Sequence, residues 1–417
     1  MGTVLSIVLG GGRGERLYPL TKERAKPAVP FGGIYRIIDF ALSNCINSGI
    51  RKIAVLTQYK SLSLERHLRL GWNLFAGELN EYVISVPPQQ RVSEKWYQGT
   101  ADAIYQNIYM IEKDAPEHLL ILAGDHIYKM DYSEMLRYHR EKKAVATVAA
   151  IEVPQKDSGA FGIVEVDRDY RITGFEEKPK APRPIPGKPG LSFASMGIYL
   201  FDTKKMIEYL EFDALRDTAH DFGRNIIPEM LKSGQVFAYD FKDENNKEAK
   251  YWRDVGTIDA YWEASMDLAS VDPLLNLYNR QWPIRTYRPQ FPPAKFVFAQ
   301  EKKGGRLGIA LDSTVSPGCI VSGGRVQNSV LSPNVRINSY SDVRESVLME
   351  NVEVGRHCRI RRAIIDKDVI IPPDTEVGYD PDEDRRRFYV SPGGIVVIPK
   401  GAEVMEELRS YPVEKTA

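Results

Sequence analysis

The sequence has 417 residues, of which 43% are hydrophobic and 27% are charged. This length predicts two domains, and this composition excludes a disordered or membrane-embedded protein. Equal numbers of basic and acidic residues, 56 of each, argue against a nucleic-acid-binding surface, which needs excess positive charge. No leader-like segment begins the sequence, and three scattered cysteines form no disulfide framework or metal-ligand pair. We therefore expect a cytoplasmic protein without nucleic-acid or membrane partners.

The first part of the chain alternates short apolar runs with helical patterns. Residues 3–9 and 119–123 are apolar runs typical of buried parallel strands. Between them, Ile104, Ile108 and Ile111 recur at spacings of four and three, which predicts one face of a helix. This alternation predicts an α/β domain with a helix-covered parallel sheet, whose ligands bind beyond the carboxyl ends of the strands.

The composition then changes to a repeat. A segment rich in proline and aromatic residues, 271–308, predicts an extended linker. Beyond it, residues 330–337, 347–354 and 364–371 align without gaps and begin 17 residues apart. Inside each unit, aliphatic residues fall five or six apart, which favours a parallel β-helix with one aliphatic side chain pointing inward per face. An irregular β-sandwich is the alternative for residues 309–417.

The first apolar run leads into a glycine-rich loop at residues 10–14, Gly-Gly-Gly-Arg-Gly. Glycines let backbone N–H groups approach a phosphate closely, and Arg13, Arg16 and the later Lys26 add positive charge. The loop is neither a Walker A nor a dinucleotide-binding motif, because no Gly-Lys-Ser/Thr follows and Leu17 stands where the third glycine would be. We predict a phosphate-binding loop, with a plain tight turn as the alternative.

Two aspartates are candidate metal ligands. Asp125 follows the apolar run 119–123, and Asp254 lies in the string Trp-Arg-Asp-Val-Gly-Thr. Paired carboxylates at the carboxyl end of a strand suit the magnesium ion of a nucleoside triphosphate; the alternative for each aspartate is a helix N-cap or a turn. Lys178 is a candidate for neutralising a sugar phosphate, with a plain surface lysine as the alternative. No Ser/His/Asp or Cys/His set is evident, so we predict no covalent catalysis.

Seven strings in fixed order carry a family resemblance: GGGRGERL (10–17), RAKPAV (24–29), RIIDFALSNCINSG (36–49), WYQGTAD (96–102), AGDHIY (123–128), EKP (177–179) and RDVGT (253–257). Together they resemble the bacterial sugar nucleotidyltransferases, and within them the ADP-glucose pyrophosphorylases. Each string alone is modestly specific, whereas the ordered set is very specific. The likeness extends over nearly the whole chain, including the repeat region.

The resemblance implies an α/β fold. It implies a Rossmann-like nucleotidyltransferase domain with a mixed, mostly parallel sheet (1–270), a linker (271–308) and a left-handed parallel β-helix for regulation and oligomerisation (309–417). The implied reaction is the Mg²⁺-dependent transfer of the adenylyl group of ATP to α-D-glucose 1-phosphate, giving ADP-glucose and pyrophosphate. This reaction is the committed step of glycogen synthesis. The resemblance also implies a homotetramer controlled by small phosphorylated effectors and by AMP or phosphate.

The resemblance assigns roles residue by residue. The assigned residues are Asp125, Arg13 and Lys26 for catalysis; Gly10, Gly11, Gly12, Tyr97 and Gly99 for the nucleotide; Gly162, Glu177, Lys178 and Ser195 for the sugar phosphate; Asp125 and Asp254 for the metal; and Arg24, Arg36, Arg386 and Arg387 for effectors.

The effector positions match the family only in part. Glu23 stands where enteric-type members have lysine, Pro30 where they have histidine, and Val390 where they have arginine. An acidic residue beside an anion site repels the anion, so we expect an activator other than the enteric-type one. The alternatives for the whole chain are a nucleotidyltransferase that uses UTP or dTTP, a non-catalytic regulatory paralogue, and a β-helix binding protein. The last of these leaves the first 270 residues unexplained.

Overall fold

The computed structural model describes residues 4–89, 96–245, 247, 249–402 and 404. The outer ends of the two predicted domains, 1–3 and 405–417, lie outside this range. The N-terminal part contains the strands β1 (Val4–Leu9), β2 (Pro30–Phe31), β3 (Tyr35–Arg36), β4 (Lys52–Leu56), β5 (Tyr82–Val86), β6 (His118–Ala123), β7 (His126–Tyr128), β8 (Ala146–Pro154), β9 (Gly162–Val166), β10 (Ile172–Glu177), β11 (Leu191–Asp202), β12 (Val236–Asp240) and β13 (Trp252–Asp254). Its helices are α1 (Ile38–Asn47), α2 (Leu62–Gly71), α3 (Thr100–Tyr105), α4 (Ile108–Asp114), α5 (Tyr132–Glu141), α6 (Thr203–Ala214), α7 (Ile227–Met230) and α8 (Ile258–Asp267).

A nine-stranded mixed sheet forms the centre of this part. Strands β5, β4, β1 and β6 are parallel neighbours in that order. The long strand β11 runs antiparallel to β6, β8 and β9, and β12 continues parallel to β8. The loops that follow β1 and β6 therefore open at the same edge of the sheet.

Alternating side chains of the strands feed two apolar layers. In β1, Val4 and Val8 belong to a core with α1, α2 and α5, whereas Leu5 and Ile7 belong to a core with α3, α4, α6 and α7. Helices thus cover both faces, as an α/β sheet requires. This arrangement confirms the predicted fold class of the N-terminal part.

A separate antiparallel ribbon stands beside the sheet. Strand β7 follows directly after Asp125, and it pairs with β13 so that His126 lies opposite Asp254. Residues that are far apart in the sequence therefore meet at one end of this ribbon.

The helix predicted from Ile104, Ile108 and Ile111 is two helices, α3 and α4. The side-chain amide of Asn107 donates to the carbonyl oxygen of Ala103 at 2.8 Å. That carbonyl is the acceptor the backbone N–H of Asn107 would need in a continuous helix. The N–H bonds to Ile104 instead, at 3.0 Å, so the side chain interrupts the helix.

The C-terminal part is a stack of short parallel strands. They are β14 (Lys295–Val297), β15 (Ile309–Leu311), β16 (Thr314–Val315), β17 (Ile320–Ser322), β18 (Arg325–Gln327), β19 (Val330–Leu331), β20 (Arg336–Ile337), β21 (Asp342–Arg344), β22 (Val347–Leu348), β23 (Glu353–Val354), β24 (Arg359–Arg361), β25 (Ala363–Ile365), β26 (Ile370–Ile371), β27 (Glu376–Val377), β28 (Tyr389–Val390) and β29 (Val396–Ile398), with one helix, α9 (Pro381–Arg387).

Three sheets form the faces of the stack: β14-β17-β20-β23-β26, β15-β18-β21-β24-β27 and β16-β19-β22-β25-β29-β28. Aliphatic side chains form inward ladders, for example Val326, Val343, Ile360 and Val377, all with no exposed surface. This is the arrangement of the predicted left-handed parallel β-helix, which excludes the β-sandwich alternative.

The two parts share one apolar core. Tyr261 of α8 and Phe31 of β2 pack in the same buried cluster as Val347, Ile364 and Val397 of the β-helix. Strand β14 lies within the segment predicted as linker and already pairs with β17. The domain limits at residues 270 and 308 stay predictions.

Candidate active site

A cavity of about 510 Å³ lies where the glycine-rich loop meets the carboxyl end of β6. Strands β1 and β6 pair with Leu9 opposite Ala123, so the segments that follow them converge. Among the predicted residues, Gly11, Gly12, Arg13, Lys26 and Asp125 line this cavity.

The glycine-rich loop is held from both sides. The N–H of Gly10 donates to Leu56 at 2.9 Å, and the carbonyl of Gly14 accepts from the Thr21 hydroxyl at 2.9 Å. Gly14 has φ 65°, and a Cβ there would come within 3.0 Å of Thr21, so this position requires glycine. The exposed guanidinium of Arg13 lies 5.2 Å from the ring centre of Tyr59. The loop thus presents backbone and a cation to the cavity.

Lys26 joins the two predicted metal ligands. Its Nζ lies 2.8 Å from Oδ2 of Asp125 and 2.9 Å from Oδ1 of Asp254. Lys26 is buried, with 6% of its surface exposed, whereas the side chains of Asp125 and Asp254 are 33% and 30% exposed. The aspartates are therefore close enough to share one cation.

Charge pairing outweighs burial in this cluster. Burial lowers the pKa of the Lys26 ammonium, but the carboxylates of Asp125 and Asp254 raise it above its ordinary value overall. Burial raises the pKa of the Asp125 carboxyl, but Lys26 and His126 lower it below its ordinary value overall. Lys26 is therefore cationic and Asp125 anionic at neutral pH.

His126 adds a third donor. Its Nε2 lies 3.5 Å from Asp125 and 3.9 Å from Asp254. Its Nδ1 lies 3.1 Å from the carbonyl oxygen of Met196, so Nδ1 must carry the hydrogen and Nε2 faces the aspartates. Ligand atoms of Asp125, His126 and Asp254 all lie within 4.8 Å of one another.

This donor set fits a divalent cation. Hard cations prefer carboxylate oxygens, and the two aspartates supply them around a point where the Lys26 ammonium already acts as a stand-in cation. Within the described residues, this is the one cluster of three such side chains that can hold a metal ion.

The segment predicted to contact the nucleotide reaches the cavity at Thr100, whereas Tyr97 and Gly99 do not line it. Tyr97 accepts a hydrogen bond from Asn107 at 3.0 Å. Gly99 precedes α3, and a Cβ there would come within 2.3 Å of the carbonyl oxygens of Ala219 and His220. This close approach, and not a special backbone angle, requires glycine at position 99.

The residues predicted to bind the sugar phosphate lie on β9, β10 and β11 or, for Lys178, directly after β10. Gly162 pairs with Glu177 across two strands. Lys178 is half exposed, and its Nζ lies 3.9 Å from a Glu177 oxygen. Ser195 precedes Met196, whose carbonyl contacts His126, so Ser195 adjoins the metal-ligand cluster through one neighbour. Among the described residues, Lys178 forms no ion pair with that cluster, and its role stays a prediction.

Comparison with known proteins identifies the family. A nucleotidyl transferase profile matches residues 5–271, and a GlmU-like C-terminal hexapeptide profile matches residues 292–398. The chain is 56% identical to a glucose-1-phosphate adenylyltransferase of Rhodopirellula baltica over 96% of this chain and 91% of that protein. It is 54% identical to the Koribacter versatilis protein of the same name, covering 96% of each chain. The chain belongs to the glucose-1-phosphate adenylyltransferase family.

More distant members of the glucose-1-phosphate adenylyltransferase family match equally far along the chain. Glucose-1-phosphate adenylyltransferase 2 of Vibrio cholerae is 48% identical over 98% of this chain and its own full length. The predicted family and enzyme class are thereby confirmed. Nucleotidyltransferases of this kind generally use divalent metal ions. Among the described helices, none has the length and apolarity needed to cross a bilayer.

Two of the predicted effector residues lie in the N-terminal part, where Arg24 is buried and Arg36 is partly buried. Arg24 donates to both carboxylate oxygens of Asp366, at 2.9 and 3.0 Å, and both side chains are buried. Arg36 donates to the carbonyl of Ala28 at 2.9 Å and to the hydroxyl of Ser63 at 2.8 Å. An anionic effector at Arg24 must therefore compete with Asp366.

The other two lie on α9, at the far end of the β-helix. Arg386 is exposed and pairs with Glu383 at 2.7 Å. Arg387 donates to the carbonyl of Val404 at 3.3 Å. In the part of the chain that the structure describes, neither arginine shares a hydrogen-bond or ion-pair partner with Arg24, so the assignment of these residues to one effector site stays a prediction.

Arg16, predicted to add charge to the phosphate-binding loop, lines the cavity. Two further residues were not assigned a role from the sequence: Thr100 lines the cavity, and His126 faces both aspartates. The sequence held a signal for each, since Thr100 lies in the WYQGTAD string and His126 directly follows Asp125. The ring orientation of His126 depends on Met196, which no local pattern reveals.

Proposed function

We propose that this protein transfers the adenylyl group of ATP to α-D-glucose 1-phosphate, producing ADP-glucose and pyrophosphate. The observation that carries the proposal is its likeness, over nearly the full length, to glucose-1-phosphate adenylyltransferases. The cavity beside Lys26, Asp125 and Asp254 supports it, because it offers glycine backbone, cations and carboxylates where a triphosphate needs them.

The chemistry needs no strong general base. The phosphate of glucose 1-phosphate is already anionic at neutral pH, and one of its oxygens forms a bond to the α-phosphorus of ATP. The bond from that phosphorus to the bridging oxygen breaks, and its electron pair leaves with pyrophosphate. Arg13 and Lys26 neutralise charge on the phosphates, and the loop holds the reacting groups in line.

The cofactor we propose is Mg²⁺, held by Asp125 and Asp254. When bound, the ion supplies positive charge to the phosphate oxygens. His126 lies within reach as a third donor, but Mg²⁺ prefers oxygen ligands. We therefore assign the ion to the two aspartates alone.

Pyrophosphate release tests the proposal. The purified protein is mixed with Mg²⁺, glucose 1-phosphate and, in separate reactions, ATP, UTP, dTTP or GTP, with omission of the sugar phosphate as the control. We expect the highest kcat/KM with ATP. Preference for UTP or dTTP would indicate another sugar nucleotidyltransferase, and no release with any nucleotide would indicate a non-catalytic paralogue.

The wider setting is also part of the proposal. We propose a cytoplasmic homotetramer acting in glycogen synthesis, regulated by small phosphorylated effectors and by AMP or phosphate. The three cysteines are buried thiols, as expected in a reducing compartment.

The activator is the part of this setting that an assay can test. Glu23, Pro30 and Val390 depart from the enteric pattern. Activity is measured with fructose 6-phosphate, fructose 1,6-bisphosphate, pyruvate and 3-phosphoglycerate in turn, and we expect no strong, selective response to fructose 1,6-bisphosphate at low concentration.

A further inference from the structure

Helix α8 is held by the β-helix at its first turn. The carboxylate of Asp259 accepts hydrogen bonds from the hydroxyl of Ser391 at 2.5 Å and from the N–H of Gly393 at 3.3 Å. Ser391 and Gly393 form the turn between β28 and β29 of the last coil. A Cβ at position 393 would come within 2.4 Å of an Asp259 oxygen, so this turn fits closely against α8.

A second contact lies one turn further along α8. The indole N–H of Trp262 donates to the carbonyl of Glu345 at 2.8 Å. The guanidinium of Arg362 stacks 4.6 Å from the Trp262 ring centre and donates to the carbonyl of Gly393 at 3.0 Å. The helix is therefore fixed to two separate coils of the β-helix.

The other end of α8 holds the strand that carries Asp254. Asp267, the last residue of the helix, accepts from the hydroxyl of Tyr251 at 2.9 Å and from the guanidinium of Arg253 at 3.3 Å. These two residues flank Trp252, the first residue of β13. At its N-terminal end, α8 begins four residues after Asp254 and is capped by the Thr257 hydroxyl, which accepts from the N–H of Ala260 at 3.2 Å.

We propose that α8 transmits the position of the β-helix to Asp254, which makes Ser391, Asp259 and Trp262 positioning residues for the ion-binding carboxylate. A helix of ten residues is a rigid rod about 15 Å long. It contacts the β-helix through Asp259 and Trp262, and it is joined to β13 at both ends, by residues 255–257 and by Asp267. Loss of a residue that orients a metal ligand typically costs about 10- to 100-fold in metal affinity. The inference rests on the metal role proposed for Asp254.

The test uses two variants. Ser391→Ala removes the hydroxyl that donates to Asp259, and Trp262→Phe keeps an aromatic side chain but removes the indole N–H. Ser313→Ala is the matched control. The Ser391 hydroxyl donates to the Asp259 carboxylate and accepts from the N–H of Ile395, and the Ser313 hydroxyl likewise donates to the carbonyl of Leu311 and accepts from the N–H of Ser329 in a different β-helix turn. Two properties are measured in the full chain. They are Mn²⁺ binding by electron paramagnetic resonance and amide hydrogen exchange of the peptide covering β13.

We expect Ser391→Ala and Trp262→Phe to weaken Mn²⁺ binding about tenfold, the lower end of what loss of an outer partner costs, and to speed exchange in β13. The control should change neither property. Unchanged Mn²⁺ binding and exchange in both variants, with an unchanged thermal unfolding midpoint, would overturn the inference.

A double variant separates transmission through α8 from a local effect. Asp267→Asn weakens the far tie of α8 to β13 but leaves the link through residues 255–257, so adding Ser391→Ala should lower Mn²⁺ affinity by less than the sum of the two single losses; fully additive losses would contradict transmission through the helix. Failure of the wild-type protein to bind Mn²⁺ would refute the proposed ion site. The exchange data would then decide alone whether α8 couples the β-helix to β13. If Mn²⁺ binding weakens in the variants as expected but the wild-type protein releases no pyrophosphate, only the proposed reaction is refuted.

Discussion

Lys26 lies between two carboxylates that are 99 and 228 residues away from it in the sequence. Such a buried cation persists because the carboxylates of Asp125 and Asp254 raise its pKa, and Lys26 in turn lowers the pKa of the Asp125 carboxyl. A divalent ion bound by the two carboxylates would bring two positive charges, where the Lys26 ammonium brings one. At the scale of single residues, the site is therefore a cation-binding pair of aspartates supported by a lysine.

The strongest residue-scale prediction concerns Asp125. Asp125→Asn keeps the shape of the side chain but removes its charge, so the proposed ion and Lys26 each lose one anionic partner. We expect kcat to fall about 10³-fold or more, as for loss of a major electrostatic element, with the fold intact by circular dichroism. A fall of less than about tenfold would show that Asp125 is not a principal ligand.

A second prediction concerns the sugar phosphate. Lys178 is exposed enough to meet a ligand, and among the described residues its ion-pair partner is Glu177, with an oxygen 3.9 Å from its Nζ. We expect Lys178→Ala to raise the KM for glucose 1-phosphate about 10- to 100-fold, the value of a charged hydrogen bond, with kcat little changed. Lys180→Ala, an exposed neighbour, is the control. Loss of turnover at saturating sugar phosphate would contradict the assigned role.

At the scale of elements, α3 depends on its approach to the loop before the π-helical turn Phe222–Ile226. The N–H of Ala101 donates to the carbonyl of His220 at 2.8 Å. We expect Gly99→Ala to push α3 away from this loop and to reduce kcat/KM about 10²-fold, because small misplacements in an active site are costly. Gly159→Ala, where a Cβ meets nothing within 4 Å, should have no such effect. Equal activity of the two variants would refute this account.

The same scale gives a pH prediction for the junction of α5 and β8. The pKa of His139 is lowered from its ordinary 6.5 to about 4. Burial is the main cause, and the neighbouring His118 and Arg140 lower the pKa further, whereas Asp202 raises it. A group with a lowered folded-state pKa stabilises the fold above pH 6.5 and loses that contribution as the pH falls towards 4. The difference between 6.5 and 4 corresponds to at most about 3 kcal/mol.

His139→Gln removes this titration. Unfolding midpoints measured at steps between pH 7 and pH 4 should therefore fall less steeply in the variant than in the wild type. Parallel curves for the two proteins would show that His139 does not contribute to acid sensitivity.

Local patterns predicted the elements of this molecule better than their contacts. The 17-residue spacing alone indicates the β-helix, since Val330, Val347 and Ile364 stack as the repeat requires. Apolar runs likewise indicate β1 and β6. The break between α3 and α4 was not predictable, because it depends on one side-chain bond of Asn107.

The site shows the same division. A glycine-rich loop and two strand-end aspartates were visible in the sequence, but the pairing of β7 with β13 that joins Asp125 to Asp254 is a tertiary contact between short strands. The family resemblance supplied this proximity before the structure did. Composition and spacing alone do not predict how close Asp125 and Asp254 lie.

At the scale of the whole molecule, Arg24 and Asp366 form a buried link between the two parts. Arg24→Met keeps most of the apolar stem and leaves a buried carboxylate without its main partner, which typically costs 3–5 kcal/mol. We expect about 3 kcal/mol, because the N–H of Lys367 still donates to Asp366 at 2.7 Å. With an unfolding entropy near 2 cal/mol/K per residue, the thermal midpoint should fall about 3 °C.

The control for this prediction is Arg386→Met. It breaks an exposed ion pair with Glu383, and exposed pairs contribute between about 0 and 1 kcal/mol. Similar midpoint shifts for the two arginine variants would mean that the buried link does not hold the parts together.

The position of the divalent ion tests the central claim most directly. Crystals of the protein with Mn²⁺ and a non-hydrolysable ATP analogue would locate the ion by anomalous scattering. The account predicts a peak within about 2.5 Å of carboxylate oxygens of both Asp125 and Asp254, beside the phosphates and the glycine-rich loop. A peak bound by only one of the aspartates, or one on the far side of the sheet from that loop, would contradict it.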